Sequence, residues 1–234
     1  MVNEAIILAG GFGKRLRSVI NDIPKPMANI NNKPFLEYLI TKLSKQGISK
    51  IIFSVGYKYE IIQNYFGNIY NNISFIYAIE EEPLGTGGAI KNALNFVNND
   101  DVFIVNGDTF FNINYINLFN FHKSKSSKLS IALKNISYTE RYGSVEINQD
   151  NKIISFLEKA PKSNVLINGG IYLVNKFFIH SLETPKTFSF EKDFIEKYFD
   201  NYDFYGLPFD NYFIDIGIPE DYIKACKEFN KLLD

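Results

Sequence analysis

Glycines and cations follow the first apolar run of the chain. Glu4 to Ala9 read as a buried strand, and the strand breaks into a turn that contains Gly10, Gly11 and Gly13. A glycine-rich turn after a strand lets backbone N–H groups approach a polyanion closely. Cations follow at Lys14, Arg15 and Lys25. Together these residues predict a site that cradles a triphosphate.

The spacing fits neither of two common glycine-rich nucleotide motifs. A P-loop has a glycine five residues before its glycine-lysine pair, and no glycine precedes Gly13 at that distance. A dinucleotide loop has a third glycine where this chain has Leu16. An NAD-dependent oxidoreductase is therefore disfavoured. The glycines alone leave an ordinary loop as the alternative.

Other residue types suit phosphate and metal chemistry. Asp108 follows a buried run and an Asn-Gly pair, so its carboxylate should emerge at the end of a strand, accessible to a hard cation such as Mg²⁺. The planar fork of Arg15 can hold two phosphate oxygens at once. Lys25 stands between two prolines that restrict its backbone, and it can offer a point charge to a phosphate. Without supporting context, an aspartate of this kind is more often a turn residue.

Further blocks follow in a fixed order along almost the whole chain. They are GGFGKRL with PKP, EEPLGTGGAI, VNGDTFFN, RYGSV, FLEK, INGGIYLV, FSFEKD and FIDIGIPEDY. In content and order they resemble the sugar-1-phosphate nucleotidyltransferases. The reaction that this resemblance implies is attack by a sugar-1-phosphate oxygen on the α-phosphorus of a nucleoside triphosphate, with release of pyrophosphate.

The resemblance also assigns roles to individual residues. It implies that Arg15, Lys25 and Asp108 are catalytic and that Asp108 and Asp215 bind Mg²⁺. The implied nucleotide-binding residues are Leu8, Ala9, Gly10, Gly11, Gly13, Lys14, Arg15, Glu80, Gly85, Thr86 and Asp108. The implied sugar-phosphate-binding residues are Gly143, Glu158, Lys159, Asn168 and Gly170.

Two positions keep a second interpretation. Gly170 and the glycine before it either allow close approach of the sugar or form a β-bulge. Glu191 either reaches the sugar or supports the start of a helix capped by Ser189, and the cap interpretation is preferred.

Within the family, the blocks look closest to the guanylyltransferases of D-glycero-α-D-manno-heptose 1-phosphate, so GTP is the favoured triphosphate. Gly85 is interpreted as leaving room for a purine, and Glu80 or Glu81 as acceptors for its N–H groups. Alternatives are a mannose-1-phosphate guanylyltransferase and a UTP- or CTP-dependent glucose-1-phosphate enzyme. A catalytically silent, nucleotide-sensing subunit is less favoured because both aspartates and both cations, Arg15 and Lys25, are present.

The elements that must position these residues alternate in type. Apolar runs such as Ile51 to Val55 and Ile73 to Ile79 are separated by helical patterns, and this alternation indicates a mostly parallel, Rossmann-like mixed sheet flanked by helices. A first helix should have Pro34 as its first helical residue (N1) and stop at Gly47, and a later one should start near Gly87. We expect a single domain over 1–234, with a nucleotide-binding half over about 1–126 and a sugar-phosphate-binding half over about 127–234.

Composition limits the partners. The chain has 25 basic and 26 acidic residues and a net charge of −1, which argues against nucleic acid and anionic membranes as partners. A single cysteine excludes an internal disulfide, and no apolar run is long enough to span a bilayer. We therefore expect a cytoplasmic protein. Its 22 Phe and 15 Tyr residues leave room for an aromatic interface between copies, that is, for a homo-oligomer.

Overall fold

Strands and helices alternate along the part of the chain that the computed structural model describes, residues 2–11, 23–139, 141–157 and 162–232. The strands are β1 (Glu4–Leu8), β2 (Asn29–Ile30), β3 (Lys33–Pro34), β4 (Lys50–Val55), β5 (Ile69–Tyr70), β6 (Ile73–Ile79), β7 (Asp101–Asn106), β8 (Thr109–Phe111), β9 (Leu129–Thr139), β10 (Ser144–Ile147), β11 (Ile153–Leu157), β12 (Lys162–Asn175), β13 (Phe204–Phe209) and β14 (Phe213–Asp215). The helices are α1 (Phe35–Lys45), α2 (Tyr59–Phe66), α3 (Gly85–Ala93), α4 (Tyr115–Ser124), α5 (Lys176–Ser181), α6 (Glu196–Tyr198) and α7 (Pro219–Leu232). Short 3₁₀ turns cover Lys25–Met27 and Leu94–Phe96, and a π-helical turn covers Phe190–Ile195.

One large sheet organises the fold. Its strands follow the order β11, β10, β12, β7, β1, β4, β6, β5, and β9 pairs with both β12 and β13. Strands β7, β1, β4 and β6 are mutually parallel, and β12 runs antiparallel to β7. The sheet is therefore mixed, with a parallel centre.

Alternate residues of the central strands enter two cores, one on each face of the sheet. Ile7 and Phe53 belong to the core on one face, whereas Ile6 and Ile52 belong to the core on the other. Side chains of a strand point alternately to opposite faces, and a sheet covered on both faces needs apolar residues at both. This explains why the central strands read as continuous apolar runs.

The first helix ends as predicted but starts differently. Pro34 is the N-cap of α1 rather than its first helical residue, because its ψ of 141° is extended. After the helix, Gly47 has a φ of 87°, which glycine adopts without strain.

The third helix also starts earlier than predicted, at Gly85 instead of Gly87. Gly87 therefore lies inside α3, where the Phe188 ring packs against it. A Cβ there would lie 2.1 Å from that ring.

The second half of the chain joins the same sheet through β12. The pairing of β12 with β9 shifts register between Asn168 and Tyr172, and Gly170 within that interval has a φ of 72°. A Cβ on Gly170 would lie 2.8 Å from the side-chain nitrogen of Asn106. The glycine pair therefore forms the bulge, the second of the two interpretations from sequence.

Candidate active site

A cavity of about 660 Å³ lies at the carboxyl ends of β1, β4, β6 and β7. Open α/β sheets place their ligand sites at this edge. Most of the predicted nucleotide-binding residues line the cavity: Leu8, Ala9, Gly10, Gly11, Glu80, Gly85, Thr86 and Asp108. Gly13, Lys14 and Arg15 lie outside the described residues.

The glycine turn leaves β1 against the neighbouring strand. Ala9 N donates to Ser54 O at 2.8 Å, which extends the pairing of β1 with β4 by one residue. A Cβ on Gly10 would lie 2.8 Å from the Glu80 carboxylate, whereas one on Gly11 would meet no atom within 4 Å. Gly10 thus allows the turn to pack on Glu80, and the backbone at Gly11 stays open toward the cavity.

Glu80 is held in place inside the cavity wall. Its carboxylate accepts hydrogen bonds from Ser54 Oγ at 3.2 Å and from Leu84 N at 3.1 Å. Burial raises the pKa of Glu80, and these two bonds oppose the rise. The carboxylate therefore has a fixed orientation and remaining lone pairs for a ligand donor.

The structure shows a different physical reason for glycine at position 85 from the one inferred from sequence. Gly85 has a φ of 67°, and a Cβ there would lie 2.5 Å from Phe188 O. A side chain at this position would meet the Phe188 backbone and not the cavity. The interpretation that glycine makes room for a purine is therefore wrong in its physical reason, because backbone geometry and Phe188 require it.

Thr86 uses its hydroxyl within the protein. Thr86 Oγ1 accepts from Phe190 N at 2.8 Å and donates to Glu191 Oε2 at 2.9 Å. A hydroxyl has one proton, so its donor capacity is fully used by Glu191.

Lys25, which stands between Pro24 and Pro26, is the first residue of the 3₁₀ turn and lines the cavity. Its Nζ donates to Asp108 Oδ2 at 2.5 Å and lies 3.6 Å from Asp215 Oδ1. The Lys25 side chain is 11% exposed, and that of Asp215 is 17% exposed. The structure thus brings the predicted cation and both predicted metal ligands into one cluster.

Backbone pairing holds the two aspartates together. Strands β8 and β14 are antiparallel, and Thr109 lies opposite Asp215. Ile216 N donates to Asp108 O at 3.0 Å, and Gly217 N donates to Asp215 Oδ1 at 2.7 Å. The carboxylates are therefore preorganised at the end of a short ladder.

Burial, followed by the nearby charge of Asp108, raises the pKa of Asp215 above its ordinary value. Lys25, the Gly217 N–H and a further cation, Arg141, oppose this rise. Two neighbouring carboxylates that repel each other are stabilised by a positive charge between them.

Arg141 belongs to this cluster, although it was missed as a site residue from sequence. Arg141 Nη1 donates to Asp221 Oδ2 at 2.8 Å, and Arg141 Nη2 lies 3.7 Å from Asp215 Oδ2. It therefore links the Asp215 carboxylate to the first turn of α7. The signal in the sequence is its place in the RYGSV block, directly before Tyr142 and Gly143.

The predicted sugar-phosphate residues that are described lie together. Asn168 N donates to Gly143 O at 3.1 Å, and Gly170 N donates to Asn168 Oδ1 at 3.0 Å. Asn168 Nδ2 also donates to Tyr172 OH at 2.7 Å, so the amide keeps one N–H and one lone pair for a ligand. Glu158 and Lys159 lie outside the described residues.

Glu191 lines the cavity, and the structure supports part of each sequence interpretation. Ser189 Oγ accepts from Lys192 N at 3.2 Å, so Ser189 is the N-cap of the π-helical turn. The Glu191 carboxylate accepts from the Ser189 hydroxyl at 3.3 Å and also reaches Thr86 and Tyr172.

Comparison with known proteins agrees with this geometry. The model of the Nucleotidyl transferase family matches residues 4–231. The chain belongs to this family. A similar fold is found in the crystal structure of a putative glucose-1-phosphate thymidylyltransferase from Bacillus anthracis, which is 22% identical with a TM-score of 0.85 over 96% of this chain and 94% of that one. The predicted fold class, a mixed and mostly parallel sheet flanked by helices, is confirmed.

Closer relatives within the family share one activity by name. A D-glycero-alpha-D-manno-heptose 1-phosphate guanylyltransferase from Aneurinibacillus thermoaerophilus is 53% identical over 96% of this chain and 97% of its own length. One from Campylobacter jejuni is 49% identical over 94% of this chain and 96% of its own length. The predicted resemblance to the family and to this group is confirmed.

A solved structure is also similar. The crystal structure of HddC from Yersinia pseudotuberculosis complexed with GMP-PN is 41% identical, with a TM-score of 0.86 over 97% of this chain and 100% of that one.

Among the described residues of the present nucleotidyl transferase, no helix is both long and apolar enough to cross a membrane.

Proposed function

We propose that this nucleotidyl transferase transfers GMP from GTP to D-glycero-α-D-manno-heptose 1-phosphate, forming GDP-heptose and pyrophosphate. The observation that carries this proposal is sequence identity to two guanylyltransferases of that sugar phosphate. This chain is 53% identical to one and 49% identical to the other, over nearly the full length of each. The cavity and its polar cluster supply the groups that such a reaction needs.

The nucleophile of this reaction is already an anion. A general base is therefore unnecessary, and the protein has to align the two phosphates and neutralise charge on the α-phosphoryl group. An oxygen of the sugar phosphate bonds to the α-phosphorus, and the bond to the β-phosphate oxygen breaks, so pyrophosphate leaves with the electron pair. We assign the triphosphate to the glycine turn and Arg15, and assign the neutralising charge to Lys25.

A divalent cation fits the aspartate pair. The family generally uses such a metal, and we propose Mg²⁺ held by Asp108 and Asp215. Their carboxylates offer hard oxygen ligands and already attract one cation, the Lys25 ammonium. When bound, Mg²⁺ would neutralise phosphate charge.

The base is assigned to the side of the cavity formed by Glu80, Glu81 and Gly85. The N1–H and N2–H₂ groups of guanine need acceptors, and the fixed Glu80 carboxylate has lone pairs left. The crystal structure of the 41% identical HddC, complexed with GMP-PN, supports a guanine nucleotide as the substrate.

Asn168, Gly143 and Gly170 remain our sugar-phosphate residues, together with Glu158 and Lys159. The division of the chain near residue 126, a cytoplasmic location and a homo-oligomeric state stay predictions from sequence.

The test is release of pyrophosphate across a panel of GTP, UTP, CTP, dTTP and ATP against heptose, mannose and glucose 1-phosphates. We expect the highest kcat/KM for GTP with the heptose. A tenfold preference for UTP or dTTP would contradict the assignment of guanine as the base. A preference for mannose 1-phosphate would contradict only the assignment of the heptose as the sugar. No turnover with any pair would contradict the proposed function as a whole.

A further inference from the structure

A chain of four hydrogen-bonded side chains joins the two predicted substrate sites, from the cavity wall to the buried Tyr172. It runs from Thr86 to Glu191 at 2.9 Å, from Glu191 to Tyr172 at 3.0 Å, and from Tyr172 to Asn168 at 2.7 Å. Thr86 is on the nucleotide side, and Asn168 is on the sugar-phosphate side. We propose that Tyr172 and Glu191 are positioning residues that couple the binding of the nucleotide to the binding of the sugar phosphate. This inference rests on the proposed function for the identity of the two ligands.

The direction of each bond is fixed by the groups involved. Gly170 N can only donate, so the side-chain oxygen of Asn168 faces it and the amide nitrogen faces Tyr172. Because Tyr172 OH accepts there, its proton points to Glu191 Oε1. The carboxylate of Glu191 accepts from Tyr172 with Oε1, and from Thr86 and Ser189 with Oε2. No member can rotate without breaking a bond to its neighbour.

Burial makes Tyr172 a mediator and not a ligand contact. Its side chain is fully buried, and burial raises its pKa well above the ordinary value, so the phenol remains a donor. The ring packs edge to face on Phe190 at 5.2 Å between centroids. Phe190 is also the residue whose N–H bonds Thr86. Phe190 therefore contacts two members of the hydrogen-bond chain, Thr86 at one end and Tyr172 in the interior.

Backbone bonds fasten the nucleotide loop to that segment. Gly87 N donates to Phe188 O at 2.9 Å, and Phe188 N donates to Leu84 O at 3.1 Å. A nucleotide that restrains the loop over 84–87 would thus also restrain the segment over 188–191. Through Tyr172, the same restraint would hold the amide of Asn168 before the sugar phosphate arrives. A second ligand that binds to an already ordered site loses less conformational entropy on binding. The resulting gain in its binding free energy is the coupling between the two sites.

The test measures this coupling in the full-length protein by calorimetry. Binding of heptose 1-phosphate is titrated with and without the α,β-methylene analogue of GTP, which cannot release pyrophosphate; Mg²⁺ is present throughout. We expect the analogue to tighten sugar-phosphate binding by about fivefold or more in the wild type. In Tyr172→Phe, which removes only the hydroxyl, the effect should fall below about twofold.

The matched control is Tyr38→Phe. Tyr38 is also buried, and its hydroxyl donates to Ile30 O at 2.8 Å, away from the described cavity lining. This variant should lose a similar amount of stability and keep the coupling. Thr86→Val should reduce coupling, and the double variant with Tyr172→Phe should lose little more, because both residues act in one chain.

The possible failures are distinguishable. A folded Tyr172→Phe protein that keeps the wild-type coupling overturns the inference, as does a wild type that turns over both substrates but shows no coupling. If the panel selects another substrate pair, the titration uses that pair. A wild type without turnover on any pair overturns the proposed function instead.

Discussion

Lys25 Nζ donates to Asp108 Oδ2 at 2.5 Å, although 83 positions separate the two residues in the chain. The same ammonium lies 3.6 Å from Asp215 Oδ1. A cation that is to be held by these two carboxylates therefore competes with a lysine for them. Lys25 also lines the cavity, so the same ammonium is available to the phosphates of a nucleotide.

Replacement of this lysine should change metal binding and catalysis in opposite directions. In Lys25→Met the carboxylates lose their ammonium, so binding of Mn²⁺ in the absence of nucleotide should tighten by about tenfold or more. Turnover should fall by about 10²-fold, since a charge contact to the transition state is lost. Calorimetry with Mn²⁺ alone and pyrophosphate release measure the two effects. Lys33→Met, at an exposed lysine paired with Glu37, is the control. Equal Mn²⁺ affinity in wild type and Lys25→Met would contradict the competition.

Asp108→Asn should preserve the fold and abolish most turnover. The change keeps the shape of the side chain but removes the charge that binds a divalent cation, so a loss of about 10²-fold or more in kcat is expected. The measurement is pyrophosphate release over a Mg²⁺ titration, with thermal unfolding as the check on folding. Asp150→Asn, at an exposed turn, should be unaffected. Near wild-type rates for Asp108→Asn at saturating Mg²⁺ would remove the metal assignment.

Two glycines with positive φ allow a matched comparison of stability. Gly47 has a φ of 87°, and a Cβ added there would have no atom within 4 Å, whereas Gly85 has a φ of 67° and a Cβ there would lie 2.5 Å from Phe188 O. Gly47→Ala should cost about 1 kcal/mol for the left-handed backbone. Gly85→Ala should cost about 2 to 4 kcal/mol, because overlap with a backbone oxygen is added. Denaturant unfolding measures both, and equal losses would contradict the assigned role of Phe188.

A buried carboxylate far from the cavity should govern stability in acid. Asp101, at the start of β7, accepts from Asn175 Nδ2 at 2.9 Å and pairs with Lys123, and His122 Nε2 lies 3.8 Å from it. Although burial opposes ionisation, the interactions with His122, Lys123 and Asn175 hold the pKa of Asp101 well below its ordinary value.

The pH dependence follows from this direction. A carboxyl with a lowered folded pKa stabilises the fold above its unfolded pKa of about 3.9, and this stability is lost as pH falls toward the folded value. Asp101→Asn should therefore cost about 3 kcal/mol at pH 7 and progressively less below about pH 4. Urea unfolding from pH 7 to pH 3 measures the difference. A difference that is constant with pH would show that packing, and not charge, is responsible.

Much of the central sheet could be predicted because its strands are apolar runs. The run Ile51 to Val55, buried on both faces, became β4, and the partly exposed run Ile73 to Ile79 became β6. Helix starts were less accurate. The start of α1 depends on ψ at Pro34, and the first residue of α3, Gly85, has a positive φ and packs on the Phe188 backbone; neither feature is visible in local sequence.

The blocks of the sequence by themselves determined the family and the identities of the candidate residues around the cavity. Only the tertiary structure decided how these residues are used. In the folded chain the Thr86 hydroxyl donates to Glu191, 105 positions away, and Arg141 lies beside Asp215. A side chain at position 85 would overlap the backbone of Phe188, which explains the glycine there. Residue types record which groups can donate, accept or carry charge, whereas their actual partners depend on long-range contacts. Those partners are fixed when the sheet brings the ends of distant strands to one edge.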